Sequence, residues 1–372
     1  MKIAILAPGG VGRDGVSEVI PCFLWLIERL VRAGDEVHVF TLRQEPQPGR
    51  WQLLGAQVHN AGRRPRRLRM FRAILAEHRR GRFDVLHAMW AVPAGLVAAA
   101  AGRILRLPIL LCLPGGDLVS LPRLFYGGRL TLRGRAQLRL ALAAADRIVA
   151  PSAFMVEQAA AAGAAASRLP FGVALDRWPP RPPRRRIAGA PAKLLHVASL
   201  NRVKDQETLL QAAAALKAGS LSFTLDIIGF DTLDGAVQRR SHELALDDCV
   251  RFHGFLPHHE LRPWIERADL LVMASRHEAG PLVALEAAVA GIPTAGTAVG
   301  HLADWAGEAA VAVPVGDAAA LARAVSELLA DEDRRLAIAA EAQRRALAED
   351  ADFTAAETRR IYSELAARRR GS

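Results

Sequence analysis

Cysteine and aromatic residues are scarce in this 372-residue sequence. The three cysteines, Cys22, Cys112 and Cys249, stand apart from one another among apolar neighbours. An odd, isolated set supports neither a disulfide framework nor a paired-cysteine metal site. Aromatic residues make up 5% of the chain and hydrophobic residues 51%, with several alanine runs. This composition indicates a folded, helix-rich protein and excludes global disorder.

Long uninterrupted apolar stretches are also missing. Residues 91–114 form the most apolar stretch, and two prolines and two arginines interrupt it, so no ordinary membrane-spanning helix is predicted. Residues 1–7 run directly into a glycine-rich loop, without the long apolar core and small-residue cleavage site of a signal peptide. We therefore predict a cytoplasmic protein that is at most peripheral to the inner face of a membrane.

Charge is distributed unevenly along the chain. Residues 1–186 contain 29 Lys and Arg residues against 12 Asp and Glu residues, whereas residues 187–372 contain 20 against 26. Part of the basic excess is one run, made of Arg63, Arg64, Arg66, Arg67, Arg69 and Arg72. Such a run would attract phosphates of nucleic acid, anionic lipid or a charged substrate, and it fits a solvated surface equally well. No nucleic-acid recognition motif accompanies it, so no nucleic-acid partner is predicted.

Strand-like and helix-like segments alternate along both halves of the chain, which predicts parallel α/β sheets. The proline-rich residues 178–186 interrupt the alternation. We predict a first domain over residues 1–178, a linker over 179–191 and a second domain over 192–353, with a helix at 354–370 packing back on the first. The fold class is then α/β, with two doubly wound Rossmann-like domains facing across a cleft that holds the active site.

A glycine run, Gly10–Gly15, reads G-x-G-x-x-G between a predicted strand and a predicted helix. That is the setting of a dinucleotide-binding fingerprint. A nicotinamide site would add an acidic residue after the second strand, where this chain has Arg43, which suits a phosphorylated cofactor instead. Two interpretations of the glycine run therefore remain. It belongs either to an NADP-dependent oxidoreductase or to a loop whose backbone approaches another ligand closely.

The segment 275–293 predicts a short helix that begins at the end of a buried strand, with Pro281 in its first turn and Gly291 just past its end. Free backbone N–H groups at such a helix start favour a phosphate. Glu278 and Glu286 flank this start and suit hydroxyl groups on either side of a phosphate. The competing interpretation is that Glu278 caps the helix and Glu286 is solvated.

Two cations, Arg202 and Lys204, lie in the loop after the first strand of the second half, where they could neutralise phosphates. Together with the preceding motifs they carry a resemblance: the chain is similar to retaining glycosyltransferases of family 4, which have the GT-B fold. Glu278 and Glu286 match the E-x7-E pattern of that family, and Lys204 matches the lysine of its G-R-L-x-x-x-K segment. The similarity extends to segments 169–173, 250–256, 268–270 and 297–300.

The resemblance implies that the domain over residues 1–178 binds the acceptor and that the domain over residues 192–353 binds the nucleotide-sugar donor. It also implies roles for individual residues. Glu278 would bind hydroxyl groups of the donor sugar, Glu286 the nucleotide ribose and Lys204 the diphosphate, while Leu256 would lie near the base. Gly15 would belong to a loop that approaches the donor phosphate. The implied donor-binding residues are Gly15, Arg202, Lys204, Leu256, Glu278, Gly280, Pro281, Leu282, Val283 and Glu286. Neither a metal ion nor a cofactor is implied, and a nucleoside diphosphate sugar is the co-substrate.

Asp117 is the implied acceptor-side residue, and with Glu278 and Lys204 it completes the implied catalytic set. It ends the segment Pro114-Gly-Gly-Asp117, in which Pro114 stands where the family has a histidine. That replacement motivates a further alternative, a catalytically silent nucleotide-sugar binder. His87, Trp90 and Phe125 are weaker candidates for acceptor contact, because single residues of these types are more often packed in a core or at its rim.

The predicted activity is retaining transfer of a hexose from a nucleoside diphosphate sugar to an acceptor hydroxyl, in envelope or lipid-linked glycan synthesis. The acceptor would be a glycan, a lipid-linked compound or a small molecule. The arginine run then becomes a candidate for docking on anionic membrane lipid or on an anionic acceptor.

Overall fold

The computed structural model describes residues 1–370 and divides the chain into two compact units. Unit 1 contains Met1–Gly172 and returns at Ala351, and unit 2 contains Val173–Asp350. Each unit is a parallel α/β sheet covered by helices. The predicted fold class of two Rossmann-like domains is confirmed.

Unit 1 is built on an eight-stranded sheet. Its strands are β1 (Lys2–Ala7), β2 (Glu36–Thr41), β3 (Gly49–Leu53), β4 (Ala56–Asn60), β5 (Val85–Met89), β6 (Ile109–Cys112), β7 (Arg147–Ala150) and β8 (Ser167–Arg168). Their spatial order is β3-β4-β2-β1-β5-β6-β7-β8, and every neighbouring pair is parallel except the hairpin of β3 and β4. The seven parallel strands therefore end at one edge of the sheet.

Five helices connect these strands. They are α1 (Pro21–Arg32), α2 (Arg66–Arg80), α3 (Leu96–Leu105), α4 (Leu132–Ala144) and α5 (Ala153–Ala161). Helices α2, α3 and α4 pack side by side. The strands between the helices are buried along almost their whole length, as β1 shows with Ile3 and Ile5 fully inside the core.

Unit 2 is built on a six-stranded, all-parallel sheet. Its strands are β9 (Ala192–Val197), β10 (Phe223–Ile228), β11 (Val250–Phe252), β12 (Leu270–Met273), β13 (Thr294–Thr297) and β14 (Val311–Val313), in the order β11-β10-β9-β12-β13-β14. Its helices are α6 (Gln206–Ala218), α7 (Ala236–Glu243), α8 (Arg262–Arg267), α9 (Leu282–Val289), α10 (His301–Asp304), α11 (Ala318–Ala330) and α12 (Glu332–Ala348).

The last helix, α13 (Ala351–Arg370), belongs to unit 1 and packs on α1. Arg29 Nε lies 2.6 Å from Asp352 Oδ1, and Arg359 Nε lies 2.8 Å from Asp35 Oδ2. Thr354 Oγ1 donates to the carbonyl of Pro170 at 2.8 Å. An ion pair and a buried hydroxyl bond in the first turn, with a second ion pair near the middle of the helix, fix α13 to unit 1.

The proline- and arginine-rich segment was predicted to be a linker between domains, but it packs on unit 2. Its backbone is fastened to unit 2, because Arg186 N donates to Glu332 Oε1 at 2.8 Å and Arg335 Nη2 donates to the carbonyl of Arg184 at 2.6 Å. Arg184 also bonds Asp269 at 3.3 Å. Prolines keep this segment out of the sheet, but its arginines and carbonyls still find partners on unit 2. The chain changes units at Gly172, earlier than residue 178.

Within residues 1–370, none of the helices combines the length and the apolar character needed to cross a bilayer.

Candidate active site

The loops that follow β9 and β12 supply the central residues of a polar site in unit 2. The two strands are adjacent and parallel, so their carboxyl ends lie side by side at the sheet edge. The first loop carries Lys204 and the second carries Glu278. Arg276 N donates to the carbonyl of Val203 at 2.7 Å, and the Arg276 side chain pairs with Asp205 at 2.5 Å. These bonds tie the two loops together.

Lys204 and Glu278 form an ion pair at the centre of this site. Lys204 Nζ donates to Glu278 Oε1 at 2.5 Å, and Ser275 Oγ donates to the same oxygen at 2.7 Å. Glu278 is 8% exposed, while the side chain of Lys204 remains partly open to solvent. The structure therefore brings together two residues that are 74 positions apart in sequence and were predicted to act on one donor.

Helix α9 starts directly beside this pair. Pro281 occupies the N-cap with an extended backbone, and no side chain caps the helix. Leu282 and Val283 supply backbone N–H groups in the first turn, and Gly280 precedes the cap. Free N–H groups and the helix dipole favour an anion at this position. Pro281 was predicted to lie in the first helical turn, but it is the N-cap, and Leu282 is the first helical residue.

Close backbone packing fixes the loop that holds Glu278. A Cβ atom at Gly300 would lie 3.0 Å from Pro281 Cδ and 3.1 Å from the carbonyl oxygen of Glu278, and Gly300 has φ of 55°. Thr297 Oγ1 donates to the carbonyl of Ser275 at 2.6 Å. Only glycine combines this backbone conformation with so little space.

Glu286 is almost fully buried in α9, at 2% exposure, and its carboxylate contacts His258. His258 Nε2 lies 2.5 Å from Glu286 Oε1, and the His258 ring packs on Trp178 with a centroid distance of 5.2 Å. The interpretation of Glu278 as a helix cap and Glu286 as a solvated residue is therefore wrong, since the helix has no side-chain cap and Glu286 is buried. His258 has no motif of its own and was missed.

Two other predicted donor residues lie at the margin of this site. Leu256 is half-buried in the loop after β11, two positions before His258. Arg202 is exposed in the loop that carries Lys204. Neither makes a contact that fixes its role.

Asp117 lies in unit 1, in the loop after β6. Its side chain is buried and accepts a hydrogen bond from the backbone N of Val92 at 3.3 Å, while Oδ2 has no hydrogen-bond partner among residues 1–370. Burial raises the pKa of Asp117 to about 6. Cβ atoms at Gly115 and Gly116 would lie 2.5 Å from Trp90 Nε1 and from the Tyr126 hydroxyl, so both positions need glycine.

The weaker acceptor candidates have different environments. His87 is fully buried in β5, where Nδ1 lies 2.6 Å from the Tyr362 hydroxyl of α13 and burial lowers its pKa to about 3. It is a core residue, so its prediction as an acceptor contact is wrong. Trp90 is half-buried just after β5 at φ 71°, a strained conformation for this residue type. Phe125 is exposed.

The glycine run does not have the geometry of a dinucleotide fingerprint. Helix α1 begins at Pro21, six positions after Gly15, whereas the fingerprint glycines open the helix. The backbone N–H groups of Gly10 and Val11 both donate to Gln44 Oε1, at 2.7 and 2.9 Å. These amides are engaged inside the protein, which removes the basis for an NADP site here. Gly15, at φ 70°, closes a turn onto Gly12.

No group of three or more His, Cys, Asp or Glu side chains suited to holding a metal ion occurs in the part of the chain that the structure describes.

Comparisons with known proteins agree with the division of the chain into units 1 and 2. Residues 18–172 match the family "Glycosyl transferase 4-like domain", and residues 181–345 match "Glycosyl transferases group 1". The two matches fall on unit 1 and unit 2 respectively.

Individual curated relatives agree with these matches, and solved structures agree with the fold. Glycogen synthase of Mycobacterium tuberculosis is 34% identical over 202 residues, which cover 53% of this chain and 48% of that protein. The chain thus matches about half the length of such curated relatives. Sucrose-phosphate synthase from Thermosynechococcus elongatus has a TM-score of 0.81 at 21% identity, covering 98% of this chain and 99% of that one. HepE from Anabaena in complex with UDP and glucose has a TM-score of 0.74 at 17% identity, covering 98% and 100%.

Proposed function

The chain belongs to the GT-B glycosyltransferases, and from this premise we propose that it transfers a sugar from a nucleoside diphosphate sugar to an acceptor hydroxyl, with retention at the anomeric carbon. The observation that carries the proposal is the Lys204–Glu278 pair beside the uncapped start of α9. A cation, free backbone N–H groups and a carboxylate within one loop cluster match a diphosphate joined to a polyhydroxylated ring.

Unit 2 would bind the donor. Lys204 and the first turn of α9 stabilise the diphosphate, Glu278 accepts hydrogen bonds from sugar hydroxyls, and Glu286 accepts them from the ribose. Because a lysine and a helix N-terminus supply positive potential, we propose that the leaving diphosphate is stabilised without a metal ion. His258 Nε2 occupies one position on the Glu286 carboxylate, and a carboxylate accepts several hydrogen bonds, which supports a role in binding ribose hydroxyls.

Donor binding would redirect the Lys204 side chain. In the structure its ammonium group is directed to Glu278, and a bound diphosphate would compete for that ammonium. The sugar hydroxyls would then replace Lys204 as donors to Glu278. The exchange keeps the carboxylate hydrogen-bonded in both arrangements, which avoids the cost of a buried unpaired charge.

Unit 1 would bind the acceptor. In the proposed step the acceptor oxygen bonds to the anomeric carbon on the face from which the diphosphate departs, and the hydroxyl proton passes to the departing phosphate oxygen. Asp117, with an oxygen that lacks a partner among residues 1–370, would accept a hydrogen bond from the acceptor and orient it. The leaving group takes the proton, so this step does not require a histidine at position 114.

A catalytically silent nucleotide-sugar binder is the second candidate, because Pro114 stands where the family has histidine. Turnover separates the two candidates. Calorimetry with a panel of nucleoside diphosphate sugars, starting from UDP-glucose because the HepE structure contains UDP and glucose, should reveal one preferred donor. Proton NMR of the product should then show the anomeric configuration of the donor. Binding without product across acceptor extracts would favour the silent binder, and an inverted product would contradict retention.

We also propose that unit 1 docks on an anionic membrane, in keeping with an acceptor from envelope or lipid-linked glycan synthesis. Residues 118–145 contain five arginines and no acidic residue, and the arginine run extends from the loop before α2 into the first half of that helix. Large apolar side chains are exposed on or near the same helices, notably Phe125 at 81% and Leu132 at 82%. Exposed apolar groups among arginines fit the interface of an anionic bilayer.

Co-sedimentation with vesicles tests the docking proposal. At low salt, vesicles that contain phosphatidylglycerol should retain the protein better than vesicles of phosphatidylcholine alone, and the double variant Phe125→Ser/Leu132→Ser should lose much of that retention. Ile187→Ser, an equally exposed apolar position in unit 2, is the control. Equal retention on both vesicle types would contradict the proposal.

A further inference from the structure

A cavity of about 320 Å³ lies in unit 1 between the β3–β4 hairpin and the first half of α2. Its size is at the lower end of the range for small-molecule sites, about 300–1,000 Å³. The residues that matter for its chemistry are Arg50, His59, Asn60, Arg69 and Ala73. None of the residues assigned above to the donor or the acceptor lines this cavity.

The cavity opens at the edge where the parallel strands of unit 1 end. Asn60 is the last residue of β4 and lies in register with Thr41, the last residue of β2. Asp117 follows β6, which is parallel to these strands within the same sheet, so its loop lies at the same edge. Ligands of open α/β sheets bind at the carboxyl ends of their strands. The cavity therefore lies on the ligand-binding edge of unit 1.

Two arginines give the cavity a positive lining. Arg69 Nη1 donates to the carbonyl of Arg63 at 2.8 Å, which holds the side chain in place without neutralising it. Arg50 Nη1 lies 3.2 Å from Glu77 Oε1, but Glu77 also pairs with Arg80 at 2.5 Å, so one carboxylate is shared by two guanidinium groups. No acidic residue is among those that line the cavity.

The remaining polar groups near the cavity are neutral or already paired. Burial and the charge of Arg50 lower the pKa of His59 to about 4, so its ring is uncharged at neutral pH. Asn60 directs its amide to backbone carbonyls of the neighbouring loop. Glu45, next to Gly49 at the cavity wall, pairs with Arg13 at 2.9 Å. The uncompensated charge is thus that of Arg69, together with the part of the Arg50 charge that the shared Glu77 carboxylate does not neutralise.

We propose that this cavity binds the phosphate group of a phosphorylated acceptor. The planar guanidinium group bonds phosphate oxygens in pairs, which explains a preference for phosphate over an uncharged sugar. The acceptor role rests on the proposed function, whereas the phosphate site itself does not. Since β4 and β6 are four strand spacings apart, about 19 Å, the acceptor is an extended molecule. Its phosphate belongs either to a soluble oligosaccharide phosphate or to a lipid headgroup, and both present the same chemistry to the cavity.

Calorimetry on the full chain in a phosphate-free buffer tests the site, with inorganic phosphate and glycerol 3-phosphate as probes and glycerol as the uncharged control. Both phosphates should bind saturably and glycerol should not. The double variant Arg50→Gln/Arg69→Gln should weaken binding by about tenfold or more. Ala73→Leu fills the cavity without changing any charge and should weaken binding to a similar extent.

A matched control separates the cavity from general basic charge. Arg103→Gln/Arg139→Gln removes the same charge from exposed positions of α3 and α4 and should leave phosphate binding within about twofold of the wild type. Equal loss in this control, an unchanged affinity in both cavity variants, or the absence of saturable phosphate binding by the wild type would each overturn the proposal. Circular dichroism checks the folding of Ala73→Leu, and the arginine variant decides if that protein does not fold.

Two further arms identify the phosphate source and keep the two proposals apart. The vesicle arm uses the Phe125→Ser/Leu132→Ser background, which removes the proposed docking surface. In that background, vesicles that contain phosphatidic acid are bound through the cavity if glycerol 3-phosphate displaces the protein and adding Ala73→Leu abolishes binding, which assigns the phosphate to a lipid headgroup. Vesicle binding that glycerol 3-phosphate does not displace assigns it to a soluble acceptor. UDP titration is run in parallel. If the wild type does not bind UDP, the proposed function is contradicted and the cavity result stays intact.

Discussion

Replacing Lys204 and Glu278 one at a time should separate nucleotide binding from sugar recognition. Lys204→Ala removes a charge-assisted hydrogen bond to the diphosphate, which is worth about 1.5–3 kcal/mol and corresponds to a roughly 10- to 150-fold weaker Kd for both UDP and the UDP-sugar. Glu278→Gln removes the carboxylate that holds Lys204 Nζ at 2.5 Å, so UDP should bind as tightly as before or a few-fold more tightly. The same variant loses the acceptor for sugar hydroxyls, so its preference for UDP-sugar over UDP should shrink.

Isothermal titration with UDP and with the preferred UDP-sugar measures both quantities for each variant. Lys193→Ala is the control, because Lys193 is an exposed lysine of β9 whose removal changes the charge equally. Folding is monitored by thermal unfolding, since Lys204→Ala leaves the carboxylate of Glu278 with Ser275 as its donor. We expect a loss of about 1–2 kcal/mol in the free energy of unfolding, less than for a fully buried pair because Lys204 is partly exposed.

The reasoning is refuted if Lys204→Ala binds UDP within about twofold of the wild type, or if Glu278→Gln weakens UDP binding as strongly as Lys204→Ala does. Either result would mean that the pair does not lie in the diphosphate site.

Three further substitutions test the surroundings of both sites. Gly300→Ala should lower the free energy of unfolding by about 1–3 kcal/mol, seen as a lower Tm, because a methyl group at φ 55° would contact Pro281 and the carbonyl of Glu278; an unchanged Tm would contradict the close packing. The raised pKa of Asp117, about 6 against a usual 3.8, means that its ionisation destabilises the fold above pH 6 and that this cost is relieved as the pH falls towards 4. Asp117→Asn should therefore increase the free energy of unfolding at pH 8 by up to about 3 kcal/mol, seen as a higher Tm, and this difference should vanish near pH 4. Tyr362→Phe should destabilise the protein by about 1–3 kcal/mol in chemical unfolding, because it leaves His87 Nδ1 without this partner; a loss below about 0.3 kcal/mol would show that the bond is not formed.

The strand-end positions of Lys204 and Glu278 could be predicted because each residue follows a strand with a clear apolar pattern. Strands β9 and β12 are short buried runs, and a proline and a glycine mark the limits of α9, so Lys204 and Glu278 could be assigned to strand ends before their contact was known. The contact between Lys204 and Glu278 could not be predicted, because it requires β9 and β12 to be neighbours in the sheet. It depends on sheet order, which a pattern along the chain does not encode.

Other features depend on contacts between distant segments and left no local signal. The bond between His87 and Tyr362 joins residues 275 positions apart, and a histidine in a strand has the same local pattern whether it faces a core or a ligand. His258 lies in a single 3-10 turn, too short for a periodic pattern. The β3–β4 hairpin, which walls the cavity, turns at Leu54-Gly55 with both residues at positive φ. Leucine at such a position gives no turn signal, so the hairpin was not predicted.

The proposed donor site and the excess of basic charge lie in different parts of this chain. Unit 2 spans most of the mildly acidic half, so under the proposed function its affinity for a diphosphate would come from Lys204 and the first turn of α9, within hydrogen-bonding range, and not from net charge. Such short-range contacts are weakly screened by salt, whereas the attraction between the arginines of unit 1 and a membrane falls as ionic strength rises. Raising salt from 50 to 500 mM should therefore release the protein from anionic vesicles while changing the Kd for UDP by less than about threefold. A parallel loss of both would mean that the nucleotide is held by the diffuse field of the basic half.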